Sequence, residues 1–260
     1  MLDQDEILRC AETKILAPRL IVLNEVGSTN AVAKQHVLEG EGEGLVVVAD
    51  KQTRGQGRHD RVWVSPKGSL YLSIVLKPRI NESLSPLLGL LMGCASATAI
   101  MKLGVIPVRL KWPNDILVGQ RKIGGILSEL VTQGEQVKGV VLGVGINQNV
   151  GREDFPPEVR NSMTTIYEEI CSNTSREHLA SRIVGEIDRR LIAIQAAQSF
   201  TPMLIEYVDL CDTLGKRVRV EQDSGAIEGV AEGIDETGSL IVNTGTGREI
   251  VTLGDVIHLK

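Results

Sequence analysis

Aromatic side chains are nearly missing from this chain. Two Trp, three Tyr and two Phe make up 3% of its 260 residues, although hydrophobic residues together reach 42%. There is enough apolar material for a sizeable core, and that core must be aliphatic. Cysteine is just as scarce. Cys10, Cys94, Cys171 and Cys211 lie far apart with no Cys-x-x-Cys pair, which argues against a disulfide framework or a zinc site and for a reducing compartment. Surplus positive charge is lacking as well. The net charge is −5, which speaks against general nucleic-acid binding. Residues 1–9 carry three acids and no apolar stretch, so they do not read as a signal peptide. The longest apolar run, residues 84–103, is broken by Ser, Gly and Thr. It opens at Ser85-Pro86, a capping residue ahead of a favoured first helical position, and stops near Gly104. We read it as a buried helix rather than a membrane span. A soluble, cytoplasmic protein with no membrane partner is expected.

Several catalytic signatures are absent too. There is no Ser-His-Asp arrangement, no paired-carboxylate layout and no Gly-x-x-x-x-Gly-Lys-Ser/Thr loop. Gly55-Gln56-Gly57 lacks the third glycine of a dinucleotide fingerprint.

What is present reads as strands and helices in alternation. Residues 19–24 form a strand, and a helix capped by Ser28 or Thr29 runs to Leu38 and ends at Gly40. Residues 45–49 are a continuous apolar run, hence a buried strand. In residues 69–77 the positions Leu70, Leu72, Ile74 and Leu76 alternate with others, which predicts a long half-exposed strand. Further strands are expected at 108–112, 116–118, 123–130 and 137–146. Thr174 and Glu177 fit a capping box ahead of a helix whose stripe is Leu179, Ile183, Ile187, Leu191 and Ile194. With no convergent polar group, that helix reads as scaffold. Beyond Gly215 the spacing shortens to strands at 217–221, 226–234, 239–243, 248–252 and 256–259. Turns at 223–225, 235–238 and 245–247 separate them, as in a small all-β barrel of SH3 size.

Three clusters carry chemistry. The first is Gln52-Thr53-Arg54-Gly55-Gln56-Gly57-Arg58-His59-Asp60-Arg61-Val62-Trp63, a glycine-rich loop with three arginines. Glycines let backbone approach a ligand, and guanidinium groups grip phosphate or carboxylate in a forked, charge-assisted way. The second is Lys111-Trp112-Pro113-Asn114-Asp115, followed past a turn at Gly119-Gln120 by Arg121-Lys122-Ile123-Gly124-Gly125. The third is Gly143-Val144-Gly145-Ile146-Asn147, where paired glycines at a strand end suggest close packing against backbone. Singly, these are also what a solvated loop, a salt-bridged hairpin and a tight turn look like. Together they supply cations, backbone donors and a carboxamide, which suits binding of a polyanion without a protein nucleophile.

In these motifs the chain resembles the biotin protein ligases. The match runs from about Ile21 to the C-terminus and includes Ser28-Thr29-Asn30, the loop from Gly55 to Arg61 with Trp63-Val64-Ser65-Pro66, Lys-Trp-Pro-Asn-Asp at 111–115 and Lys-Ile-Gly-Gly-Ile-Leu at 122–127. The resemblance implies an α+β fold. A mixed sheet with helices, like that of class II aminoacyl-tRNA synthetases, would form a catalytic domain at 1–213, and an SH3-like barrel would occupy 214–260. It implies activation of biotin by ATP with Mg²⁺ to biotinyl-5′-AMP, then transfer to a lysine of a biotin carboxyl carrier protein of acetyl-CoA carboxylase or a related enzyme.

By matching position, Ser28, Thr29, Asn30, Gln52, Gln56, Gly57, Gly125 and Gly145 would bind biotin. Arg58 and Lys122 would hold its carboxylate and the α-phosphate. Arg61, Trp63, Asn114 and Asn147 would serve the nucleotide, and Lys111 and Asp115 the chemistry. Trp63 either covers the ligand or anchors its loop. The metal ligands stay unassigned. The loop departs from the family's Gly-Arg-Gly-Arg-x-Gly-Arg: Gln56 replaces an arginine, leaving Arg54 as a substitute, and Asp60 replaces a glycine and is placed to pair with Arg61 or Arg54. About twenty residues precede the first strand, too few for a helix-turn-helix domain, so a monofunctional ligase without DNA as partner is expected. A homodimer, a lipoate-type ligase and a biotin-responsive regulatory protein without turnover remain open on sequence alone.

Overall fold

The computed structural model describes residues 2–77, 85–222 and 225–259. Helix α1 (Gln4–Cys10) leads into β1 (Arg19–Val26), α2 (Thr29–Leu38), β2 (Leu45–Gln52), β3 (Leu70–Leu76) and α3 (Ser85–Met101). Strands β4 (Val108–Lys111), β5 (Asp115–Val118), β6 (Arg121–Gln133) and β7 (Gln136–Ile146) follow. Helices α4 (Pro157–Arg160), α5 (Ile166–Ile170), α6 (Arg176–Ala197) and α7 (Thr201–Leu210) precede five strands: β8 (Arg217–Gln222), β9 (Gly225–Ile234), β10 (Leu240–Asn243), β11 (Arg248–Val251) and β12 (Asp255–His258).

The first seven strands build one mixed sheet in the order β1-β2-β3-β7-β6-β5-β4. Only β1 and β2 run parallel, with α2 as the crossover; the other pairings are antiparallel. The β5–β6 hairpin turns at Gly119 with φ +58, the left-handed value that a two-residue turn requires. The expected α+β class is what the chain adopts.

The expectation of a half-exposed β3 is wrong, since all seven of its residues are buried. Alternation is present, but both faces are covered. Leu70, Leu72, Ile74 and Leu76 join the large core under α3 and α6, while Val75 packs with Ala33 and Val37 of α2. Tyr71 and Ser73 on the α2 face are kept by hydrogen bonds: Tyr71 Oη donates to the Pro66 carbonyl at 2.7 Å.

Helix α6 departs from its reading in two ways. Its cap is Ser175, whose Oγ accepts from His178 N–H at 3.0 Å. The Thr174 hydroxyl instead accepts from Gln148 Nε2 at 2.7 Å. Nor is the helix purely apolar scaffold. Asp188 accepts the backbone N–H groups of Lys14, Ile15 and Leu16 at 2.6–3.0 Å. Arg190, 2% exposed, donates to Glu186 Oε2 at 2.6 Å and pairs with Glu206 of α7. Buried charges persist only when paired in this way. The capping role read for Ser85, residue 84 of the apolar run and the turn residues 223–224 lie outside the described residues. Helices α1 and α7 carry no signal marked in the sequence reading.

Strands β8–β12 form an antiparallel sheet in the order β11-β10-β9-β8-β12, a small β unit that fits an SH3-like barrel. Val218, Val220, Ala231, Leu240 and Val242 of this unit join the same apolar cluster as the large sheet. Trp112 locks the two units together. Its indole Nε1 donates to the Gly238 carbonyl at 3.0 Å, and its backbone N–H donates to Thr213 Oγ1 at 3.0 Å. Trp112→Phe keeps most of the packing but leaves the Gly238 carbonyl unpaired in a buried place, so we expect a loss of about 1–3 kcal/mol in a denaturant titration. An unchanged midpoint would show that this bond does not tie the units together.

Candidate functional site

Every residue given a role by matching position lines one cleft of about 530 Å³, whereas Arg54, offered as a substitute for the missing loop arginine, does not line it. The cleft lies where the N-terminus of α2, the ends of β5, β6 and β7, the glycine-rich loop and the small β unit meet. Continuous apolar strands fix the frame, and the polar residues sit at their ends and turns.

Lys122 stands at the start of β6. Its backbone is held on both sides, with N–H donating to the Ser162 carbonyl at 2.8 Å and its carbonyl accepting from Thr164 N–H at 2.9 Å. Its ammonium lies 2.5 Å from Asp115 Oδ1 and 5.2 Å from the Trp63 ring centroid. Lys111, at the end of β4, is partly buried. Burial depresses its pKa from the usual lysine value, an effect that Asp115 opposes. Asn114 does not face a ligand freely: its Nδ2 donates to the Ile126 carbonyl at 3.2 Å, stitching the β4–β5 turn to β6. Asn147 likewise spends its Nδ2 on the Thr164 carbonyl at 3.1 Å.

The glycine-rich loop folds as a small hairpin. Gly57 N–H donates to the Arg61 carbonyl at 2.7 Å and Trp63 N–H to the Gly55 carbonyl at 2.9 Å. Its indole lies across β6 and β7, so that a Cβ at Gly145 would collide with the indole nitrogen and one at Gly125 would press on the ring. The backbone expected to receive a ligand is therefore covered by Trp63 in this structure. The Trp63 Nε1–H is buried without a hydrogen-bond partner among the described residues, which leaves a donor unused inside the cleft.

Arg58 points to the small β unit. Its Nη1 donates to the Gly254 carbonyl at 3.0 Å and lies 3.6 Å from Asp255 Oδ1. Arg61 pairs with the same carboxylate, and His59 Nε2 approaches it at 3.9 Å. Burial lowers the Arg58 pKa below its usual value, and Asp255 and then Asp115 oppose that shift. The guanidinium stays charged all the same, since arginine does not deprotonate in proteins. Asp60 does not hold Arg61, which is taken by Asp255. Asp60 adopts φ +56, a left-handed conformation that Asp tolerates better than most non-glycine residues. That explains how an acid can stand where the related loop has glycine.

The sequence reading missed two contributors. Asp255, Val256, Ile257 and Glu221 reach the cleft from the small β unit, and Phe155, Val159, Ser162 and Met163 line it from the segment around α4. Phe155, one of two phenylalanines, followed by Pro156-Pro157, was the available signal for the second. Nothing local marks Asp255. Among the described residues no group of three or more His, Cys, Asp or Glu is arranged to hold a metal ion, and no helix there is long and apolar enough to cross a membrane. Chemically, the cleft can hold an anion between cations of two strand connections, with a neutral polar floor and an apolar wall.

Comparison with known proteins bears on this cleft. The model of the biotin/lipoate A/B protein ligase family matches residues 23–147, and that of the biotin protein ligase C-terminal domain matches 213–259. A biotin–acetyl-CoA-carboxylase ligase of Mycobacterium tuberculosis is 32% identical over 249 residues, covering 93% of this chain and 90% of its own. The bifunctional ligase/repressor BirA of Bacillus subtilis is 31% identical over 256 residues, covering 98% of this chain and 78% of its own. The solved biotin protein ligase of Aquifex aeolicus in complex with biotin and ATP is 30% identical with a TM-score of 0.82, covering 93% of this chain and 99% of that one.

Proposed function

Because the chain belongs to the biotin protein ligase family, we propose that its cleft joins biotin to ATP and passes biotin to a lysine of a biotin carboxyl carrier protein in the cytoplasm. Residues 1–213 act as the catalytic unit and 214–260 as its SH3-like companion. The observation that carries this reading is the placement of Arg58 and Lys122, 64 positions apart in sequence, on the walls of the same cleft as the neutral floor of Thr29 and Gln52.

In the first step a biotin carboxylate oxygen bonds to the α-phosphorus of ATP, and the bond to pyrophosphate breaks. Two anions must meet. At about 4 Å and an effective dielectric near 20, like unit charges repel by about 4 kcal/mol. Lys122 and Arg58 replace that repulsion with attraction, and as fixed donors they favour the charge that builds on phosphorus. Asp115 holds the Lys122 ammonium in place at 2.5 Å. In the second step a lysine nitrogen of the acceptor bonds to the acyl carbon, the amine gives up a proton, and AMP leaves with the anhydride oxygen.

Thr29, Gln52 and their neighbours receive the neutral ring of biotin. Trp63 and the wall of Phe155, Val159 and Met163 receive flat or apolar parts of the adenylate. Mg²⁺ usually binds through substrate phosphates and one or two carboxylates; Asp115 or Asp255, each now in an ion pair, would supply such a carboxylate, and the ion would neutralise phosphate charge.

The test is direct. The purified chain with biotin and ATP-Mg²⁺ should exchange labelled pyrophosphate into ATP only when biotin is present, and should label a carrier protein on its lysine. Free lipoate should not compete. Exchange supported by lipoate instead would move the substrate to the lipoate side of the family, and binding of biotin without exchange would leave only a regulatory protein.

A further inference from the structure

A line of hydrogen bonds runs along the floor of the cleft and links lining residues to others behind them, Lys34, Glu129, Ser73 and Ser65, that do not line it. At the surface, Lys34 Nζ lies 2.8 Å from Glu129 Oε1. Glu129 Oε2 accepts from Asn30 Nδ2 at 2.7 Å, and the Leu127 carbonyl accepts from the same nitrogen at 3.2 Å. Both partners can only accept, so the Asn30 amide has one allowed orientation. Its Oδ1 faces the Ser73 hydroxyl at 2.5 Å, and Ser73 Oγ lies 2.8 Å from Thr29 Oγ1. Thr29 in turn gives its hydroxyl proton to Gln52 Oε1 at 3.2 Å and its backbone N–H to the same oxygen at 2.8 Å. Gln52 Nε2 donates to Ser65 Oγ at 3.2 Å, which donates to the Trp63 carbonyl at 2.9 Å. Gly143 belongs to this arrangement, since a Cβ there would collide with Asn30 Oδ1.

The directions are set from both ends, by the Glu129 carboxylate at one and by the Thr29 backbone N–H, which fixes Gln52 Oε1 as an acceptor, at the other. Glu129 fixes Asn30. Asn30 Oδ1 then takes the closer share of the single Ser73 proton. Thr29 spends its own proton on Gln52, so the part of its oxygen that faces the cleft is a lone pair. The floor is thus set to accept hydrogen bonds from a neutral ring that carries N–H groups, and a hydroxyl left free to rotate would not make that choice. We propose that Glu129 and Ser73, neither of which lines the cleft, are positioning residues that fix this polarity and so select the ureido N–H of biotin. The inference rests on the function proposed above. Lys34 supplies the counter-charge that lets a carboxylate close the chain at its partly buried end.

Kinetics on the full-length chain test it. Glu129→Ala and Ser73→Ala should each raise the KM for biotin about tenfold while the KM for ATP stays within about twofold. A biotin analogue methylated on one ureido nitrogen should be discriminated against strongly by the unsubstituted protein and at least about tenfold less by Glu129→Ala. Glu129→Gln, which keeps an acceptor oxygen for Asn30, should restore the discrimination. A general loss of structure would instead raise both KM values together and leave the discrimination ratio unchanged, and that outcome overturns the inference, as does an unchanged biotin KM. If a variant fails to fold, the conservative Glu129→Gln and Ser73→Thr variants still decide: loss of discrimination in a folded Glu129→Gln protein would contradict the role of Glu129 as acceptor. Absence of biotin-dependent exchange in the unsubstituted protein would remove the proposed function itself, a result distinguishable from normal exchange with unaffected variants.

Discussion

Lys122→Ala is expected to slow biotin-dependent pyrophosphate exchange about a thousandfold. On the proposed function the ammonium faces the meeting point of two anions, and its removal does more than delete an attraction. Asp115, now 2.5 Å from it, would be left as an uncompensated negative charge on the same wall of the cleft. A unit charge at about 4 Å in an effective dielectric near 20 is worth about 4 kcal/mol, and each 1.36 kcal/mol is a factor of about ten in rate. Folding stability should change little, because the Lys122 and Asp115 side chains are 32% and 23% exposed and such pairs contribute at most about 1 kcal/mol. Exchange kinetics and a denaturation curve on the same sample separate the two effects. Normal exchange by a folded Lys122→Ala protein would remove this residue from the chemistry.

Arg58→Gly is expected to act more on retention than on formation of the adenylate. Lys122 remains, so biotinyl-5′-AMP still forms, but a guanidinium that is 16% exposed no longer holds it. A charge-assisted hydrogen bond of about 1.5–3 kcal/mol corresponds to roughly 10- to 100-fold faster release. The released mixed anhydride acylates amines without selection, so lysines of a bystander protein such as albumin should become biotinylated while carrier selectivity falls. The loop loses its contact with the Gly254 carbonyl as well, but Arg61 keeps its pair with Asp255, so the hairpin retains a link to the small β unit. Bystander labelling equal to that of the unsubstituted protein would take Arg58 out of this role.

The strands were legible because each announces itself by an apolar run ended by glycine or a polar turn. That is why β7 and the five strands after Gly215 fall where the sequence puts them, to within a residue or two, while β2 starts as read at Leu45 and runs three residues further, to Gln52. Where the reading failed, the cause was tertiary. The alternation in β3 is real, but it cannot tell a solvated face from one covered by α2. The Thr174/Glu177 pattern is one residue off because Gln148 claims the Thr174 hydroxyl. Helix α6 read as scaffold with no convergent polar group, yet Asp188 collects three backbone N–H groups from the segment before β1.

The cleft was legible through its motifs taken together, since each alone also fits a solvated loop, a salt-bridged hairpin or a tight turn. Its closing partner was not. Asp255 stands 194 positions from Arg61, and nothing in Leu253-Gly254-Asp255 marks it as facing a cation. Only the docking of the small β unit, pinned through Trp112, brings it there. The same docking explains the present state of Arg58. Its guanidinium is engaged by a carbonyl and a carboxylate of that unit, and a bound phosphate must compete for it. On the proposed function, anion binding would thus be coupled to the contact between the two units through one side chain.

A structure of the chain with a non-hydrolysable analogue of biotinyl-5′-AMP puts the account to its most direct test. The account predicts the Arg58 guanidinium and the Lys122 ammonium both within hydrogen-bonding distance of the phosphate, with Trp63 shifted off Gly145 or stacked on the ligand. A phosphate held by Lys122 alone, with Arg58 still on Gly254 and Asp255, would contradict it.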